Sequence, residues 1–380
     1  MNSSNLKRLF LWLPFLLPST MCFAQSSLSI HGYLTQAYAF SRHHQIFGIP
    51  ENGTSDYRNM ALQFRYDQNN KNIVVIQLSH KRVGLSPVMS MEEEIELDWA
   101  FYQRKFGESA AIKIGKIQLP WGIYSEIRDV GILLPFYQVP YGTYQDGNYV
   151  SEAVDGISFW YSFNRFSSWE YTIEAYAGQW TWVEWINTLN PMTNEGFTLT
   201  ETAKIENAFG AQNWLYTPMD GLRLGFGVYH GNASGGIHFT KNGVLGETSL
   251  TVFNFSLDAT FPGSFVRVET GKYFLHLRKI SSSNLSAQIG KNLFSNFSVC
   301  GQYGFFKFLK IPSYIYNSPD EVTYFNESAV SLKYSMTNNT VLKLESHWTK
   351  SFLAEDKLLV DLSEAPSKSQ YVIFSFSTSF

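Results

Sequence analysis

From Tyr371 to Phe380 the sequence alternates strictly. Val372, Phe374, Phe376, Thr378 and Phe380 fall on one side of an extended chain, and Ser375, Ser377 and Ser379 on the other. A period of two is the mark of a strand with one greasy and one wet face. Past residue 25 no convincing 3.6-residue period appears; segments of about ten residues repeat the alternation, separated by turn residues. The pattern predicts strands at 28–40, 56–68, 71–82, 93–107, 109–118, 154–164, 167–178, 200–216, 220–231, 247–260, 263–277, 281–293, 295–308, 323–336, 339–351 and 368–380. Sixteen is an even number, as a single-chain antiparallel transmembrane β-barrel with both ends on one side requires.

The connections give the same count. Tight turns fall around Asp67 to Asn70, Gly107-Glu108, Asn164 to Ser167, Pro218 to Gly221, Phe261-Pro262-Gly263, Ser295-Asn296 and Thr337 to Asn339, alternating with longer links. Short periplasmic turns alternating with longer outer loops are expected of an outer-membrane barrel. The predicted outward sets suit lipid: Leu62, Phe64 and Tyr66; Val74, Ile76 and Leu78; Leu97, Trp99 and Phe101; Leu222, Leu224, Phe226 and Val228. The predicted inward sets suit water: Asn59, Gln63 and Arg65; Glu94, Glu96 and Asp98; Arg223; Arg267 and Glu269; Lys343, Glu345 and His347. The sheet must close, because each unpaired backbone group in hydrocarbon costs several kcal/mol. A soluble β-sandwich would instead bury the first face in its core.

Composition agrees. The chain is 44% hydrophobic and 17% aromatic but only 16% charged, so it is not disordered. A net charge of −3 gives no general attraction to nucleic acid. After the first 25 positions no apolar run reaches the roughly 18 residues of a membrane-spanning helix. Lys7 and Arg8, the apolar stretch from Leu9 to Pro18, and Cys22-Phe23-Ala24 before Gln25 have the form of a signal peptide, residues 1–24, removed on export. Reading Cys22 as a lipoprotein cysteine suffers from the bulky Met21 before it. That leaves Cys300, alone in the mature protein, so no intramolecular disulfide is available and Cys300 reads as a filler.

One connection is oversized. Residues 119–155 form the third outer loop and contain Trp121, Tyr124, Phe136, Tyr137, Tyr141, Tyr144 and Tyr149. So aromatic a loop needs a surface to pack on, and a sixteen-stranded barrel has a lumen wide enough to offer one. The expectation is an inward fold that constricts the pore. Ile112 to Leu119, then Pro120-Trp121-Gly122-Ile123-Tyr124-Ser125-Glu126-Ile127-Arg128-Asp129 and Leu133-Leu134-Pro135-Phe136-Tyr137, resemble the start of the third loop in Gram-negative outer-membrane porins. The likeness is greatest to phosphate-selective porins and their porin-like relatives. It implies a homotrimeric, water-filled channel constricted at this loop.

The loop departs from an anion selector. Arg128 is its only basic residue, against Glu126, Asp129, Asp146, Glu152 and Asp155, a net −4. Arg65, Arg104 and Lys113 have inward parity on the wall facing the acidic loop, and Glu94, Glu96 and Asp98 line the same region. Together these nine — Glu126, Arg128, Asp129 and the six wall residues — are the candidate constriction set, setting a transverse field with weak charge preference. Glu126, Arg128 and Asp129 serve equally as a structural clamp. Trp121, Tyr124, Phe136 and Tyr137 form either a solute-stacking track or the packing surface of the loop.

Tyr176, Trp180, Trp182 and Trp185 suggest an aromatic girdle and a membrane-surface loop. Met91-Glu92-Glu93-Glu94 suggests a solvated run or a divalent ion associated with lipopolysaccharide. His43 and His44 have no further ligand at metal-binding spacing, and no cofactor or catalytic residue is indicated. His80, His230 and His347 lie on strands without a Ser placed for a lipid hydrolase. The leading expectation is passive diffusion of small hydrophilic solutes and ions; the second is a substrate-specific channel for a sugar or a small carboxylate or other anion. Expected partners are outer-membrane lipid and lipopolysaccharide, two further copies of the chain, and the barrel-assembly machinery through a strand ending in Phe380.

Overall fold

Sixteen strands occur among the described residues of the computed structural model. They are β1 (Ser26–Arg42), β2 (Thr54–Gln68), β3 (Asn72–Val83), β4 (Glu96–Phe106), β5 (Ala110–Gln118), β6 (Ala153–Phe166), β7 (Trp169–Leu189) and β8 (Gly196–Tyr216). The second half comprises β9 (Leu222–Gly235), β10 (Thr248–Phe261), β11 (Ser264–Leu275), β12 (Ile280–Asn292), β13 (Phe297–Lys310), β14 (Val322–Thr337), β15 (Thr340–Ser351) and β16 (Ser367–Ser379). The structure describes residues 26–380 except 92, 145–149, 167, 191, 240–245, 278, 311–320 and 358–361. The expected leader with Lys7, Arg8 and Cys22, and also Glu92, Asp146, Tyr149 and Ser167, lie outside the described residues.

Each strand pairs antiparallel with its chain neighbours, and β1 pairs with β16, so the sheet is a closed barrel. Closure continues past the ladder, where Gly32 and Phe380 exchange backbone bonds of 3.1 and 3.0 Å. A Cβ on Gly32 would come 2.5 Å from the Phe380 ring, so glycine lets that ring lie over the strand and a larger residue would have to push it aside.

The two faces separate as the alternation demands. Leu62, Tyr66, Val74, Ile76, Leu78, Leu224 and Phe374 are exposed apolar residues, while Asn59, Glu269, Lys343, Glu345 and His347 are buried. A water-lined interior would leave the polar set accessible. Its burial means that further chain covers much of that face.

Three expectations are corrected. On β4 the pairing jumps from Gln77↔Trp99 to Leu78↔Leu97, leaving Asp98 as a bulged residue. A bulge inserts one residue and reverses the parity beyond it. Leu97 stays exposed as expected, but Trp99 is buried beside Asp98 and Phe101 is half-buried. The same reversal sends Tyr102 and Arg104 to the exposed face.

Second, β7 and β8 run 21 residues each, well past the expected ends at 178 and 200. Third, Tyr176, Trp180 and Trp182 are not a girdle, since all three are buried in the main apolar cluster. Trp180 packs edge-on to Tyr229 at 5.2 Å and Trp182 to Phe239 at 6.0 Å. Trp-rich sequence reads as a membrane interface, yet these rings share the face of Glu174 and Glu184 and have chain to pack on.

Candidate functional site

The connection from β5 to β6 is held by hydrogen bonds to side chains on the buried face of the wall. At its start, Gly122 N–H donates to Gln212 of β8 at 2.9 Å and Ile123 N–H to Glu269 of β11 at 3.0 Å. Glu269 also accepts from the Tyr144 hydroxyl at 2.9 Å, and that hydroxyl accepts from Tyr124 N–H at 2.8 Å. The Tyr124 hydroxyl bonds Gln288 of β12 and accepts from Arg267 at 2.9 Å. One buried carboxylate thus holds the backbone at Ile123 directly and that at Tyr124 through the Tyr144 hydroxyl, and an ionised acceptor makes the stronger kind of hydrogen bond.

Further along, wall lysines donate to loop carbonyls, Lys333 to Ile132 at 2.5 Å and Lys343 to Phe136 at 2.8 Å, and Ser331 donates to Pro135 at 2.7 Å. The helical turn Tyr141–Tyr144 is fixed by Thr143 against Ser286 at 2.9 Å and by the Tyr273 hydroxyl on the Thr143 carbonyl at 3.1 Å. Asn59 of β2 donates to Asp129 at 2.7 Å. The loop's partners therefore lie on strands from β2 round to β15.

Gly122 makes this anchor possible. Its φ is +59°, and a Cβ there would sit 2.4 Å from Glu269 Oε1 and 2.6 Å from the Tyr144 hydroxyl. Gly122→Ala is expected to cost about 1–2 kcal/mol from the left-handed backbone alone, with the displaced carboxylate in addition. Protease cleavage within 119–152 should accelerate while the barrel stays intact; equal cleavage rates would show that the anchor tolerates the methyl.

Beyond the loop remains a cavity of about 690 Å3. Its lining includes Asn59, Lys81, Glu96, Asp98 and Lys116 of the wall, Asp129 and Glu152 of the loop, and Phe306 and Tyr324 from the other side of the ring. Burial, then the neighbouring Glu152, push the Asp129 carboxyl up to about 6. Burial acts upward on Glu152 too, but Lys81 and Arg128 outweigh it and hold that carboxyl at about 2.

Among solved structures, DcaP, an outer-membrane channel of Acinetobacter baumannii, superposes with a TM-score of 0.59 at 9% identity over 93% of this chain and 97% of that one. OmpF of Salmonella typhi gives 0.57 at 11% identity, covering 93% and 97%. OmpT, an outer membrane protein of Vibrio cholerae in its trimer form, gives 0.56 at 11% identity, covering 94% and 100%. The fold is a porin fold. No protein-family model matches the sequence. No curated protein matches it either. At these identities the porin fold is shared without any residue role being transferable.

Within that porin fold the expected constriction residues scatter. Arg128 is buried, with its Nη1 on the Val150 carbonyl at 3.1 Å, its Nε 3.5 Å from Glu152, and its guanidinium over Tyr144. That is a clamp within the loop. Asp129, Glu96 and Asp98 line the cavity, and Asp98 accepts from Gln77 at 2.6 Å. Glu94 and Glu126 have exposed side chains, and the Glu126 carbonyl accepts from Gln118. Lys113 is committed to Glu174 at 2.9 Å and Arg65 to Asp67 at 3.2 Å, neither within the cavity lining. Arg104 is corrected outright: it points to the exposed face and bonds Asn72 at 2.7 Å.

The four aromatics named as a stacking track are packed instead. Trp121 meets Tyr229 edge-on at 5.4 Å, Tyr137 lies 5.0 Å from Tyr57, and Phe136 sits against His347 at 5.5 Å. Tyr124 is buried at 1% exposure. Missed altogether were Gln212, Gln288, Ser331 and Lys333, the wall partners of the loop, and Lys81 and Lys116 at the cavity. Strand parity alone could have flagged five of them as facing inward; Lys116 has the opposite parity to Lys113 and Ile117 on β5, so alternation gave no signal for it. Among the described residues no group of three His, Cys, Asp or Glu side chains is placed to hold a metal ion.

Proposed function

We propose that the protein is a Gram-negative outer-membrane porin, a channel through which small hydrophilic solutes and ions diffuse passively. In this reading residues 1–24 are a removed leader and 25–380 the barrel. Residues 119–155 fold inward as the constriction loop. The observation that carries it is the closed barrel whose apolar face is exposed and whose polar face surrounds a solvent-sized cavity. The loop's bonds to Gln212, Glu269, Lys333 and Lys343 support the inward fold, since all four sit on the polar face. A homotrimer is the proposed assembly, in line with the trimer form named for Vibrio OmpT. Lipid and lipopolysaccharide would cover the apolar face, and the assembly machinery would receive the chain through β16 and Phe380. Purified protein in a planar bilayer should give stable open conductance; a silent bilayer would end this reading.

Specificity for phosphate loses ground against the acidic lining, because Arg104 faces away and Arg128 is used inside the loop. Asp129 is the constriction charge in this reading. A unit charge about 8 Å from a permeating ion is worth about 0.5 kcal/mol at a water-like dielectric, about a twofold change in permeability ratio. Asp129→Asn should therefore lower cation preference about twofold, read as a reversal-potential shift in a salt gradient. Adding Glu126→Gln should do little more, as Glu126 lies off the cavity. Burial and the neighbouring Glu152 raise the Asp129 carboxyl, while Lys81 and Arg128 hold Glu152 down, so acidification should neutralise Asp129 first and mimic the substitution. A reversal potential indifferent to both changes would remove Asp129 from the pore.

A further inference from the structure

The cavity has two unlike walls. One is acidic, with Glu96 and Asp98 on β4 and Asp129 on the loop. The other is apolar and includes Ile280 at the start of β12, Phe306 on β13 and Phe352 beyond β15. In the closed ring of sixteen, β4 and β12 stand eight places apart and so face each other across the lumen. The apolar side is built as a surface: Phe306 packs edge-on to Phe308 at 5.2 Å, and Tyr324 stacks on Phe352 at 5.9 Å.

The charge balance of the lining is lopsided, with seven carboxylates against three lysines and one histidine. Of those cations, Lys81 pairs with Glu152 at 3.4 Å, and Lys116 donates to the Leu97 carbonyl at 2.6 Å. His238 lies 3.1 Å from Glu184, whose carboxylate also accepts from the backbone N–H groups of Ile237 and His238. Asp129 accepts a hydrogen bond from Asn59, and among the described residues its buried Oδ2 has no donor. Lys81 and Arg128 lend Asp129 positive charge from nearby, but an oxygen left without a donor in a confined site still gains from a cation that reaches it directly.

We infer that this cavity binds amphipathic organic cations, with the ammonium group against Asp129 and Asp98 and the apolar body, an aromatic ring by preference, against Phe306 and Phe352. The inference rests on the channel reading and names its preferred solute. Small hydrophilic solutes gain nothing from an apolar wall, whereas a molecule carrying both a ring and a positive charge satisfies both sides at once. The volume, about 690 Å3, lies within the range of pockets that enclose small organic ligands. Sugars lack the charge, and carboxylates would meet like charge at the acidic wall.

Three probes separate the contributions: 3-phenylpropylammonium, propylammonium and 3-phenylpropionate, titrated calorimetrically into the detergent-solubilised protein. The first should bind saturably and about tenfold or more tighter than the second, a difference of about 1.4 kcal/mol. The third should not bind. Asp129→Asn and Phe352→Ser, both outside the strands, should each weaken phenylpropylammonium about tenfold, with unfolding by heat checked against the parent. Equal affinity for all three probes, or affinity unmoved by both substitutions, overturns the site. Bilayer recordings on the same preparation judge the channel separately. Saturable block of current by phenylpropylammonium supports both readings. Calorimetric binding without conductance keeps the site and rejects the channel, and conductance without probe discrimination does the reverse.

Discussion

Replacing residues 121–151 with a short glycine–serine linker is expected to raise single-channel conductance several-fold and to abolish most ion discrimination. The loop bonds to side chains on strands from β2 to β15, and in the reading proposed above it occupies space that a sixteen-stranded barrel would otherwise leave to water. Its removal uncovers Glu269, Lys343 and His347, which are buried under it and polar enough to be wetted. The wall does not depend on the loop, because every strand keeps both ladder partners. The variant should therefore still show the heat-dependent shift in gel mobility of a closed barrel. Unchanged conductance from such a barrel would mean that ions already pass elsewhere or that the loop lies outside their path.

Glu269→Ala should have the largest effect of any single substitution. Its carboxylate accepts from Ile123 N–H, the Tyr144 and Ser256 hydroxyls, and Asn254 Nδ2. Each buried donor left without a partner costs about 1–3 kcal/mol, so the loss is on the order of several kcal/mol at one end of the loop. The expected result is a noisy channel with frequent large openings and rapid cleavage by added protease between residues 119 and 152. Glu269→Gln, which keeps an acceptor oxygen in place, should restore part of the quiet behaviour. A loop as protected in the alanine variant as in the parent would shift its anchorage to Lys333 and Lys343.

Strand number and most strand limits were legible because lipid on one side of a wall imposes a period of two that few other forces disturb. The errors arise where another force acts. At Asp98 an extra residue breaks the count, and nothing local in Leu97-Asp98-Trp99 announces a bulge, so Arg104 and Phe101 were assigned to the wrong faces. In β7 the alternation does continue through Trp180, Trp182 and Glu184, but the tryptophans suggested an interface and masked it. The loop's apolar character foretold that it packs. What it packs on was out of reach, since Gln212, Gln288 and Lys333 come from three strands far apart in the chain, and only the ring brings them to one loop. The carboxylates of the site were foreseen as a charge; which are free to meet a solute depends on partners such as Asn59 and Gln77, which parity cannot supply.

The seam between β1 and β16 carries a consequence for how the molecule is made. Thr35 and Ser377 bond across it at 2.9 Å although 342 positions separate them. Until β16 is available, β1 exposes a row of amides and carbonyls ready to capture any other strand, including one from a second chain. Contacts at such sequence distance form slowly, because the intervening chain must first be gathered in. Closure of β1 on β16 is thus the step that removes the last open edge of the sheet.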